Sequence, residues 1–268
     1  MKRKTCSAEH RRFLQRRNRN IIITRVCQLA ILILFVGLWQ VLADAEVIDA
    51  FITSSPLRVC QTFVSLAKGD LLRHVWTTLY ETILGFLLSF GIGTTVAVLL
   101  WFSRTVRRVI EPYLVVLNAL PKIALGPIII IWVGAGAKAI VTMAILISVV
   151  ITTINTLTGF VSVSGEKLLL MRTLHANRWQ TLWKLVFPAN IPTIMACLKI
   201  NVGMSWVGTI MGEYLVSKAG LGYLIVYGGQ VFNLSLVMCA TVILCVLAGL
   251  MYLAVALLER WVSRLIGQ

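Results

Sequence analysis

Few residues in this chain have the types and spacing needed for chemistry. His10, His74 and His175 are scattered, and none is set with a cysteine or paired carboxylates in an acid/base or nucleophilic arrangement. The stretch Gly134-Ala135-Gly136-Ala137-Lys138 lacks the spacing of a G-x-x-x-x-G-K-[ST] loop, so no phosphate-wrapping turn is present. Of Cys6, Cys27, Cys60, Cys197, Cys239 and Cys245, four lie in apolar runs and only Cys60 in a candidate external loop, which argues against a disulfide framework. Cys239 and Cys245 are six apart, on different faces of a helix and without a nearby histidine, so no metal site is expected. No catalytic residue is assigned, and no cofactor is expected on this chain.

Polar chemistry reappears where it is expensive. Lys122 and Lys199 interrupt apolar segments, where a charge at mid-depth costs roughly 2.5 to 3.5 kcal/mol. With Asn201 and Ser205 they are candidates for lining a translocation path, the two lysines facing an anionic solute; snorkelling to an interface is the alternative for the lysines. Glu213 either contacts an external protein or is a solvated helix end beside the Gly220-Leu221-Gly222 turn.

The elements that must carry these residues are membrane spans. Residues of the AVILMFWYC set make up 59% of the 268 and charged residues only 13%, too little charge to cover a soluble surface. The uncharged runs 26–43, 82–102, 139–163 and 237–258 are each long enough to cross a bilayer. A further segment, 109–133, is broken by Pro112, Pro121 and Pro127, and membrane depth tolerates that only where protein or a water-filled cavity satisfies the freed groups. The segment 188–212 completes a six-span, all-α bundle, with Gly85, Gly91, Gly93 and the Gly208-x-x-x-Gly212 pair as positions of close helix approach. Trp101, Trp132 and Trp261 fall near span ends, as interfacial anchors do. Residues 44–75 read as mixed and loop-like, with Ser54-Ser55-Pro56 and Gly69-Asp70 as breakers.

The net charge of +15 is distributed unevenly. The segments 1–25, 102–108, 160–187 and 259–268 hold eighteen Lys/Arg, against five in 44–75, 134–138 and 213–233, which puts both termini in the cytoplasm. Basic residues scattered between apolar runs are a poor match to a nucleic-acid binder. Ala43-Asp44-Ala45 imitates a signal cleavage site, but the apolar run before it exceeds the usual length of such peptides, so 26–43 is expected to stay as a span. The expected organisation is a basic tail (1–25), a first span (26–43), an external loop (44–75), a core (76–258) containing the loop 165–187, and a short tail (259–268).

That loop has helical periodicity. Leu168, Met171, Trp179, Leu182 and Val186 recur near helical spacing, Glu166, Lys167, Arg172, Arg178 and Lys184 supply charge, and Leu174-His175-Ala176-Asn177 reads as a turn. Two short amphipathic helices could lie at the lipid interface or form a docking surface, and the residues alone leave both open.

The stretch GEKLLLMRTLHANRWQTLWKLVFPANIP from Gly165 resembles the cytoplasmic coupling loop of bacterial ABC importer permeases. WTTLYETILGFLLSFGIG, EPYLVVLNALPKIALGPIIIIWVGAGAK and MGEYLVSKAGLGYLI resemble the nitrate/taurine/sulfonate branch of that family, and the resemblance spans roughly residues 56 to 260. It implies a six-helix permease subunit of the bacterial inner membrane that works by alternating access. Its implied partners are a second permease copy, two cytoplasmic ATPases that use ATP and Mg, and an external substrate-binding protein. On the resemblance, Glu166, Leu168, Met171, Arg172, Leu174, His175, Ala176, Arg178, Trp179 and Leu182 couple to the ATPase. The sequence departs from the family in two places. Leu169, Leu170 and Met171 stand at the family's Glu-Ala-Ala, and His175 stands at its turn glycine, where a positive φ is required. A transporter or channel without an ATPase, and a structural membrane subunit, are the rival readings.

Overall fold

The computed structural model describes residues 8–45 and 53–266. The chain divides into two compact units, 1–64 and 65–268. Among the described residues every regular element is helical, and five helices are long and apolar enough to cross a membrane, six if one bent pair counts as a span.

In the first unit, α1 (Ala8–Asp44) is a single helix whose apolar part is Ile22–Asp44, so the basic stretch from residue 8 continues into the span without a break. Cys6 and the rest of 1–7 lie outside the described residues, as do 46–52. The second helix, α2 (Pro56–Ala67), begins in this unit and corrects the loop-like reading of 44–75. Ser54-Ser55-Pro56 is a helix start here. Proline at the first helical position gives up no needed donor, and Ser55 Oγ accepts from Arg58 N at 3.4 Å.

In the second unit, α3 (Leu71–Phe102) starts well before the expected 82, because residues 71–81 are helical and buried on one side at Thr78 and Glu81. It is followed by α4 (Arg104–Ala119), a 3-10 turn (Lys122–Leu125) and α5 (Gly126–Val133). The two halves of this third segment meet at 85°, breaking it at Leu120-Pro121, whereas Pro112, expected to break it too, lies inside the continuous α4. Pro127 sits in the first turn of α5, where its missing N–H costs little. Next come α6 (Ala137–Val161), the loop helices α7 (Gly165–Thr173) and α8 (Arg178–Thr181), a π-helical turn (Leu182–Val186) and one more turn (Phe187–Ala189). The chain ends in α9 (Ile191–Val216), α10 (Leu221–Gln230) and α11 (Leu234–Ile266). The helix α10 occupies a stretch read from sequence as an external connection.

Helices α3, α6 and α9 form the centre, and small residues set their spacing. A Cβ at Gly85 would meet Ala144 Cβ at 2.6 Å, one at Gly212 would meet Ile140 Cα at 2.8 Å, and one at Gly208 would strike Ala144 Cα. Gly91 has nothing within 4 Å, so it is not a close-approach position within this chain. One apolar cluster joins α3, α9, α10 and α11 around Trp206, Leu221 and Leu244. A second closes the loop end of the bundle around Leu100, Leu157, Phe160, Leu182, Val186 and Ile194.

Candidate functional site

The loop between α6 and α9 is a helical hairpin whose turn is fully hydrogen-bonded. His175 has φ +53°, with His175 N donating to Arg172 O at 2.9 Å and Ala176 N donating to Met171 O at 3.0 Å. These are the two bonds of a left-handed helix cap of the kind that usually ends on glycine. Asn177 then opens α8 through a capping box: its Oδ1 accepts from Gln180 N at 2.7 Å, and Gln180 Oε1 accepts from Asn177 N at 2.9 Å. His175→Gly should therefore stabilise the hairpin by about 1 kcal/mol, by removing the left-handed penalty of a side chain; slower hydrogen exchange at residues 165–181 would register it.

Burial sorts the loop into two roles. Leu182 and Val186 are buried in the loop-end cluster, so Leu182, expected on the coupling surface, is instead a root that ties the loop to α3, α6 and α9. Both side chains enter the core from a π-helical turn, Leu182–Val186. Leu169, Leu170, Leu174, Trp179 and Trp183 are exposed, although Trp179 also leans on Phe102 with ring centroids 4.7 Å apart. Glu166, Arg172 and Arg178 are exposed, while Leu168, Met171 and Ala176 are half-buried. Arg178 Nη1 donates to Phe102 O, fastening the start of α8 to the end of α3.

The residues expected to line a path are not gathered into one. Lys122 sits on the 3-10 elbow, half-buried, with Nζ donating to Asn118 Oδ1 at 3.4 Å. Lys199 is engaged: its Nζ lies 2.9 and 2.8 Å from the two carboxylate oxygens of Glu259, linking α9 to α11. Asn201 and Ser205 are wholly buried. Asn201 Oδ1 accepts from Ser89 Oγ at 3.1 Å and from Ser205 Oγ at 3.3 Å, while Ser205 also meets Ser148 at 3.3 Å. They form a polar seam between α3, α6 and α9.

Sequence reasoning missed a second cluster at the opposite end of the bundle. Glu213 is not a solvated helix end; it is 1% exposed. Its Oε1 accepts from Thr78 Oγ1 at 2.6 Å and its Oε2 from Gly222 N at 2.6 Å, with Tyr223 N a further donor. Thr78 Oγ1 in turn accepts from Leu221 N at 2.8 Å, and His74 Nδ1 accepts from Gly220 N at 3.0 Å. One carboxyl group thus collects the free N–H groups that begin α10, with side chains of α3 completing the set. Gly220 (φ +121°) and Gly222 must be glycine, because a Cβ on either would run into Glu213. Glu81 is buried beside this group, its Oε2 without a partner among the described residues. The available signal was the acid seven residues before Gly-Leu-Gly together with His74 and Thr78 four apart on one face of a helix.

A family model described as a binding-protein-dependent transport system inner membrane component matches residues 89–267, more than half of the chain. The chain is 29% identical over 226 residues to the putative aliphatic sulfonates transport permease protein SsuC of Bacillus subtilis, covering 84% of this chain and 82% of that one. It is 30% identical over 234 residues to the riboflavin transport system permease protein RibX of Chloroflexus aurantiacus, covering 87% of each. Among solved structures, a bacterial ABC transporter importing the acidic polysaccharide alginate superposes with a TM-score of 0.66 at 14% identity, covering 94% of this chain and 99% of that one, a likeness of fold.

Proposed function

Because the chain belongs to the binding-protein-dependent transport system inner membrane component family, we propose that it works as the permease half of an importer driven by separate ATPases that dock on the 165–187 hairpin. The observation that carries this reading is the division of that hairpin into a buried root and an exposed apolar surface. Leu182 and Val186 fix it to the bundle core, while Leu169, Leu170 and Leu174 are exposed. A membrane chain without a nucleotide motif needs such a rigid lever, because only a contact that moves with the bundle can transmit work from a partner. Two ATPases, a second copy of the chain and an external binding protein complete the proposed assembly. The charge bias of eighteen basic residues to five supports placing both termini and the hairpin on the cytoplasmic side.

A small anion of the sulfonate class is the proposed cargo, supported by the likeness to SsuC and by Lys122, held at a helix break without a carboxylate partner in the described contacts. Lys199 is a poorer candidate for meeting an anion, since Glu259 already neutralises it.

Simultaneous replacement of Leu169, Leu170 and Leu174 by serine tests the docking. Apolar anchors at hot spots are each worth about 2 kcal/mol or more, so capture of the ATPase should weaken by at least thirtyfold, roughly, while the chain inserts normally. Undiminished capture of the ATPase by the triple variant would remove the hairpin from this role.

A further inference from the structure

The hairpin also borders a basin that Leu169 and Leu170 do not line. Leu168, Arg172 and Ala176 follow one side of α7 and its turn, and with Asn177, Arg178 and Thr181 they wall a basin of about 890 Å³. Its far wall is the junction of α3 and α4, with Trp101, Phe102, Arg104 and Arg107, and Phe160 and Val161 complete the lining. Four arginines and no acid line this space. Glu111 lies 3.7 Å from Arg107 Nε but is itself half exposed, too weak a partner to neutralise the group.

We propose that this basin binds the phosphate of an anionic phospholipid headgroup, clamping the hairpin stem to the end of α3. Three observations favour a lipid over a second protein surface. The basin opens where the apolar α3 ends in Trp101-Phe102, the depth at which hydrocarbon gives way to headgroups, and aromatic residues mark that level. Its walls are mixed, combining four arginines with Trp101, Phe102, Phe160 and Leu168, which matches a charged head carried on acyl chains. Arginine forks suit phosphate oxygens, and Arg178, spending Nη1 on Phe102 O, keeps its other donors for a ligand. The proposal rests on the chain lying in a membrane and does not depend on ATPase docking through Leu169, Leu170 and Leu174, none of which lines the basin.

Native mass spectrometry of the purified full-length chain with its partner subunits tests it, with dioleoylphosphatidylglycerol, dioleoylphosphatidylcholine or inorganic phosphate added. The glycerol lipid should bind in preference to the choline lipid. With each basic group near a headgroup worth roughly a fivefold factor, Arg104→Gln/Arg107→Gln should weaken that binding about twenty-fivefold. Glu111→Gln, which frees Arg107, should strengthen it, and ATPase capture should not change in either variant. Equal binding of the two lipids, or no loss in the double variant, overturns the proposal. Displacement of the lipid by millimolar phosphate would instead mark a free-anion site. Loss of ATPase capture with lipid occupancy unchanged would assign the basin to protein docking.

Discussion

Glu213→Ala is expected to cost the folded chain about 3 kcal/mol or more, because it leaves the Thr78 hydroxyl and the Gly222 and Tyr223 N–H groups buried without an acceptor. The damage should be local at first. Helix α10 begins on those N–H groups, so residues 217–230 should lose their hydrogen-exchange protection before the α3–α6–α9 centre does. Glu213→Gln keeps the volume and one carbonyl oxygen, and its loss should be clearly smaller. Thermal unfolding of the purified protein in detergent measures the first effect, and exchange mapped to peptides measures the second. An alanine variant that melts with the wild type would show that this cluster is not what holds α10.

Gly208→Leu should have an effect of similar size through a different route. A Cβ at this position already strikes the backbone of Ala144, and no rotamer can move that atom away. The helices α6 and α9 would have to separate. Overpacking of a filled interior costs typically 1 to 3 kcal/mol, and backbone-to-backbone contacts lie at the upper end. Separation would also break the seam of Ser148, Ser205 and Asn201 that these helices share with α3. Gly203→Leu in the same helix is the control, since nothing lies within 4 Å of a Cβ there. The expected result is loss of monodisperse protein for the first variant and wild-type yield for the second.

Most spans were readable because each is an uninterrupted apolar run, and a run of that length has few alternatives to a membrane helix. That the third segment is broken was readable from its three prolines, but not where: the bend falls at Pro121, while Pro112 lies inside α4 and Pro127 in the first turn of α5. Burial within the bundle was much less legible. Apolar side chains in a membrane protein face lipid and core alike, so hydrophobicity could not separate Leu182, which is buried, from Leu170, which is exposed. Leu182 enters the core from the π turn at Leu182–Val186, and composition carries no trace of that turn. The role of Glu213 was hidden for a related reason: an acid at the end of an apolar run looks like the start of solvent. Its partners Thr78 and Gly222 come from other helices, and only tertiary packing brings them to it. By contrast, the resemblance that set His175 at the family's turn glycine pointed to a left-handed position, and His175 has φ +53°.

The central claim is that this chain moves its solute only when a separate ATPase works on the 165–187 hairpin, and uptake into sealed proteoliposomes tests it most directly. Vesicles would carry the chain with or without the ATPase, with the binding protein and a radiolabelled aliphatic sulfonate on the outside and ATP within. The account predicts accumulation that requires both ATP and the ATPase, and its disappearance in the Leu169/Leu170/Leu174→Ser variant. Uptake at an undiminished rate from vesicles that lack the ATPase would contradict it and make the chain a transporter that works alone.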